Sequence, residues 1–167
     1  VIVVGFASLR RIQQRYQGEH DRPLGGYVGA MSVYGGLVAG LAAIAKARSA
    51  ELPERVSWSD LALISVATHK ASRLIAKDPV TSPLRAPFTR FEGQSGEAEL
   101  SEEVIGTGAQ HALGELLTCP FCLAQWVATI LIAGTVISPR LTRLVAEVLT
   151  AVAVGDVLQL LYDAAQN

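Results

Sequence analysis

Charged side chains are scarce in this chain: Lys, Arg, Asp and Glu make up 17% of its 167 residues, against about a quarter in ordinary soluble domains. Charge of one sign is missing as well. Fourteen Lys and Arg oppose fifteen Asp and Glu for a net charge of −1, so no basic field exists to gather nucleic acid, and a nucleic-acid partner is not expected. With only two cysteines and three histidines, there is no second Cys pair or His-x-His spacing to complete a four-ligand zinc site. Phosphate-cradling loops, Ser-His-Asp sets and His-Glu-x-x-His strings are missing too, which removes the ordinary hydrolases. The expected protein is more simply non-enzymatic, and no cofactor is called for.

Apolar length is what the chain has. Half of the residues are hydrophobic and mean hydropathy is +0.35, a balance that suits a short polytopic membrane protein. Leu24 to Ala45 and Leu116 to Ser138 contain no charged side chain, and at about 1.5 Å per residue each covers a hydrocarbon core of about 30 Å. A third apolar stretch, Leu144 to Tyr162, carries only Glu147, Asp156 and Gln159 as strongly polar residues. Leu61 to Lys77 differs: Leu61, Ile64, Ala67, Ala71 and Leu74 recur at helical spacing, while His69, Arg73 and Lys77 fall on another face. This is an amphipathic helix, lying at an interface or entering partway. Ser57 to Asp60 offers oxygens to cap it.

Between these segments, Pro79, Pro83 and Pro87 predict an extended or looped Asp78 to Phe88. Gly93 to Gly108, rich in Glu and Gly, predicts a solvated loop. The fold expected is all-α: a helical membrane protein with three or four membrane-embedded helices, one amphipathic helix and a proline-rich loop. Residues 1–59 read as an N-terminal extension and 60–167 as a second module. The leading order, Val1 to Leu9 before Arg10 and Arg11, is the reverse of a secretory leader.

Four groups of residues stand out. Gly25, Gly29, Ser32, Gly36, Gly40, Ala43 and Ala47 follow one another at spacings of four or three, which puts them on one narrow helical face that permits close helix approach in a bilayer. Cys119 and Cys122, in Thr118-Cys119-Pro120-Phe121-Cys122, stand at the start of an apolar segment and fit a dithiol switch, part of a metal site or an inert helix start, with Thr118 as the expected cap. The cations His69, Arg73, Lys77, Arg85 and Arg90 could hold anionic headgroups or balance the acidic loop. Asp156, inside an apolar segment, calls for an ion-pair partner such as Arg73 or His69, whereas Glu147 sits beside Arg143.

Taken in order, Leu61-Ala62-Leu63-Ile64-Ser65-Val66-Ala67-Thr68-His69-Lys70 with Arg73-Leu74, the run Asp78 to Phe88, Phe91-Glu92-Gly93 and Gly114 to Cys122 resemble the Domain of Unknown Function 1360 family of small bacterial proteins. The resemblance spans about Leu61 to Tyr162. It implies a bacterial, membrane-associated protein and carries over no catalytic residue. The function expected is a small integral membrane scaffold or accessory subunit in the bacterial cell membrane, with the bilayer and other subunits or further copies of itself as partners. A membrane dithiol protein using Cys119 and Cys122, and a soluble helical homo-oligomer, are the alternatives. If all four segments span, Arg10, Arg11, Arg15, Arg22, Lys70, Arg73, Lys77, Arg85 and Arg90 lie on the side of the N-terminus, and Lys46, Arg48, Arg55, Arg140 and Arg143 on the other. That bias favours a cytoplasmic N-terminus.

Overall fold

The computed structural model describes residues 6–17 and 22–166. The part of the leader expectation that rests on residues 1–5 lies outside them. Helix α1 spans Phe6–Gln17, α2 Leu24–Ala47 and α3 Trp58–Lys77. A 3₁₀ turn at Pro79–Thr81 and the short helix α4, Ser82–Arg85, lead into strands β1, Thr89–Gly96, and β2, Glu99–Val104. Helices α5, Gly108–Thr118, α6, Pro120–Ile137, and α7, Pro139–Gln166, complete the chain.

Local chemistry fixes the ends of α3. Ser57 adopts an extended backbone and its hydroxyl accepts from the Asp60 N–H at 3.1 Å, while donating to the Asp60 carboxylate at 2.7 Å. This reciprocal arrangement satisfies an orphan donor of the first turn. The same Ser57 hydrogen bond, with Arg143 beside it, holds the Asp60 carboxyl below the usual carboxylate range. Helix α2 ends where Ser49 takes a positive φ of 49°, the left-handed turn that commonly closes a helix.

Helix α3 lies within the bundle, packed chiefly on α6 and α7. Its small residues make this possible: Ile64 and Ala67 meet Leu131 of α6 and Ala146 of α7, with Leu63, Val127 and Leu149 packed around them. Successive contacts set direction. Asp60 pairs with Arg143, the Leu63 carbonyl accepts from Thr150, and Lys70 pairs with Asp156, so α3 and α7 run parallel. Tyr27 reaches Glu115, Tyr34 reaches Thr129 and Arg48 reaches the Ile137 carbonyl, so α2 runs alongside α5 and α6. The hairpin, α4 and the α5–α6 junction therefore gather at the end of the bundle where α3 finishes.

Three expectations need correction. The fold is mostly helical but not all-α, because Thr89–Gly96 and Glu99–Val104 pair as an antiparallel hairpin where a solvated loop was expected. Three of its glutamates face arginines: Glu99 binds Arg73, Glu102 binds Arg85 and Glu103 approaches Arg90 at 3.8 Å. Next, the proline-rich stretch is not extended, since Pro79 and Pro83 occupy first-turn positions of the 3₁₀ turn and α4, where a missing N–H costs nothing. Finally, the apolar helix expected from Ala109 onward breaks in two at Cys119. Pro120 has no N–H to continue α5 but is well suited to start α6.

Candidate functional site

Two places gather polar chemistry, both at the end where α3 finishes. The first is a cleft of about 780 Å³ between α3, the hairpin tip and α7. The amphipathic pattern of α3 supplies His69, Lys70, Arg73 and Lys77, the hairpin supplies Glu97 and Glu99, and α7 supplies an apolar wall with Asp156 and Asp163. The sequence grouped His69, Arg73 and Lys77 as a basic stripe, and the cleft does bring them together. Much of that charge is already matched. Lys70 donates to Asp156 at 2.6 Å, and Arg73 donates to Glu99 from Nε at 2.8 Å and also from Nη2. Asp156 thus takes Lys70, not Arg73 or His69, as its partner. With Asp78 included, five carboxylates face three Lys and Arg side chains in this cleft, the opposite of a site selective for anions.

Arg85, which the sequence placed with the exposed cations, is fully enclosed. Its Nε donates to Glu102, Nη1 to the Ile75 carbonyl at 2.6 Å and to Thr81 Oγ1 at 2.7 Å, and Nη2 to the Asp78 carbonyl at 3.1 Å. Both carbonyls lie at the C-terminal end of α3, in its last turn and at its cap, where a cation is favourably placed. Arg85 therefore clamps α3, α4 and the hairpin together and is not available to a ligand.

The second place is the α5–α6 junction. Cys119, not Thr118, caps α6: its Sγ accepts from the Cys122 N–H at 3.2 Å and lies 2.6 Å from Cys122 Sγ. Thr118 instead donates back to the Gly114 carbonyl at 2.9 Å. Both cysteines are free, Cys119 partly covered and Cys122 exposed. Among the described residues no group of three His, Cys, Asp or Glu side chains is arranged to hold a metal ion.

The glycine stripe is in neither place. A side-chain carbon at Gly25, Gly29, Gly36 or Gly40 would meet nothing within 4 Å, and Ser32 spends its hydroxyl on the Val28 carbonyl. The glycine of α2 that does sit against a neighbour is Gly26, whose missing Cβ would fall 2.7 Å from the Gly108 carbonyl oxygen and 2.8 Å from Ala112 Cβ. Sequence reasoning also missed Glu115 as a junction. It accepts from Tyr27 at 2.5 Å and Arg22 at 2.7 Å, with His111 at 3.5 Å. Farther along, Tyr34 bonds Gln125 and Thr129 and meets the Trp126 ring edge-on at 5.2 Å. The helical spacing of Tyr27 and Tyr34 was the available signal for the inward face of α2.

These features define a class: a helical bundle capped by a small hairpin, with three helices among the described residues, α2, α6 and α7, long and apolar enough to cross a membrane. The chain belongs to the family described as protein of unknown function (DUF1360), whose model matches residues 63–162. The match takes in α3 from its core residues onward, the hairpin, the cysteine pair and most of α7. The chain is also 27% identical over 104 residues to sporulation protein YjcA of Bacillus subtilis (strain 168), an alignment covering 60% of this chain and 88% of that protein. No solved structure matches.

Proposed function

We propose that this protein is an integral protein of the bacterial cell membrane with a non-enzymatic role, a scaffold or accessory subunit whose α2 stripe receives a helix from another subunit or from a second copy. One observation carries it. The most apolar window of α2 has no buried residue, and its small-residue face stands open while Tyr27 and Tyr34 hold a different face against the bundle. Lipid tails gain little from hiding leucine, so close backbone approach on such a face is what drives helix association in a bilayer. The relative's name, sporulation protein, denotes a process and not a reaction, which accords with a supporting role. The Lys and Arg bias supports a cytoplasmic side for the N-terminus, the hairpin and the cysteines.

Two measurements test this. Carbonate washing of membranes should leave the protein in the pellet, and release as a compact soluble species would favour the soluble helical homo-oligomer instead. Within the membrane, Gly36→Leu or Gly40→Leu should weaken association by about 1–3 kcal/mol through overpacking of the contact face. Val38→Phe, on the far side of α2 from the stripe, should not. Equal assembly of all three variants, read by cross-linking in membranes, would remove the stripe from the interface.

A further inference from the structure

We infer that Cys119 and Cys122 form a thiol–disulfide exchange site whose co-reactant is an organic disulfide, an activity beyond the scaffold role and independent of it. The break between α5 and α6 creates the geometry. Cys119 stands just outside α6 with φ −102° and ψ 104°, so its side chain folds back over the first turn. Cys122 lies on that turn and aims both its N–H and its thiol at Cys119 Sγ, 3.2 and 2.6 Å away. Pro120 between them brings no N–H to compete. Two nucleophilic sulfurs are thus held in contact with no metal-holding group around them among the described residues, and exposed Cys122 and the intervening Phe121, 90% exposed, leave the approach open.

The direction of the Cys122 N–H assigns the roles. The Cys122 N–H, in the first turn of α6, points at Cys119 Sγ and favours negative charge there, so Cys119 is the attacking sulfur and Cys122 the resolving one. Glu115, one turn earlier, opposes this but is itself engaged by Arg22 and Tyr27. Cys119 Sγ attacks one sulfur of R–S–S–R′; that bond breaks, and R′–S⁻ leaves with the electron pair and takes up a proton. Cys122, giving up its own proton, then attacks Cys119 Sγ and expels R–S⁻, which is protonated in turn. The two cysteine thiols are oxidised to one intramolecular disulfide, and the co-reactant is reduced to two thiols. A dithiol of lower potential reverses the sequence.

The full chain, purified in lipid vesicles, is equilibrated with graded mixtures of glutathione and glutathione disulfide, quenched in acid, alkylated and weighed by mass spectrometry. Wild-type protein should lose its two thiols together, without a lasting glutathione adduct, and recover both on treatment with dithiothreitol. Cys122→Ser should accumulate a glutathione adduct at Cys119, and Cys119→Ser should react at least about tenfold more slowly. Retention of both thiols in pure glutathione disulfide, or equal adduct rates in the two variants, would overturn the assignment. Should a serine variant fail to accumulate, the wild-type series alone decides, since independent thiols would each carry a separate adduct. Failure here leaves the carbonate and stripe tests untouched.

Discussion

Glu102→Ala is expected to destabilise the protein by about 3–5 kcal/mol, the cost of stranding a buried charge by removing its partner. The Arg85 side chain is 0% exposed and that of Glu102 7%, so neither water nor a surface acid can take over the guanidinium. Its remaining bonds, to the Ile75 and Asp78 carbonyls and to Thr81, neutralise no charge. Arg85→Ala should cost a similar amount, leaving Glu102 unpaired and removing the guanidinium donors from the Ile75 and Asp78 carbonyls. The double change Arg85→Met with Glu102→Leu should recover most of the loss, because an apolar pair needs no compensation in a buried site. Denaturant unfolding of the purified protein in micelles measures all of them. Wild-type stability in Glu102→Ala would show that the carbonyls suffice and would remove the ion pair from the account of how the hairpin is held.

Gly26→Leu is the second large effect, expected at about 1–3 kcal/mol or somewhat above. A Cβ there meets the Gly108 carbonyl oxygen and Ala112 Cβ, atoms fixed to the α5 backbone that cannot swing aside. Helix α2 must move off α5, and the Glu115 contacts with Tyr27 and Arg22 go with it. A cysteine pair at positions 27 and 115 should then cross-link poorly in the variant. Gly29→Leu, with nothing within 4 Å of the added atom, should leave the same cross-link intact. The comparison separates packing inside one copy from packing between chains, which Gly36→Leu reports.

Much of this architecture was legible from residues. The charge-free run from Leu24 gave α2, Ser57 with Asp60 gave the start of α3, and Arg143 with Glu147 pairs at 3.1 Å as expected. The hairpin was not legible, because strands such as Thr89–Gly96, with two glycines and few β-branched residues, have little propensity of their own. Tertiary ion pairs from α3 and α4 hold it in place, and those partners are remote in sequence. The break at Cys119 was hidden by the opposite problem: Ala109 to Ser138 is helical throughout in composition, and only the proline marks the joint. Glycine spacing identified a narrow face on α2 but not its direction, since the rotation of the helix is set by Tyr27 and Tyr34 reaching residues about ninety positions later. For the same reason Asp156 could be read as needing a cation while Lys70 could not be chosen over its neighbours.

The placement of α3 inside the bundle has a consequence for biosynthesis in the bilayer orientation proposed above. Helices α6 and α7, which flank α3, and Asp156, which takes its Lys70, all leave the ribosome after it. Until they arrive, Lys70 lacks its Asp156 partner and α3 lacks its apolar neighbours, and an isolated cation is costly in hydrocarbon. The newborn α3 must therefore wait at the headgroup surface or beside the insertion machinery and enter only as α6 and α7 close around it. Chains truncated after the hairpin should leave α3 accessible to water-soluble reagents, whereas the completed chain should protect its Ile64 and Ala67 face.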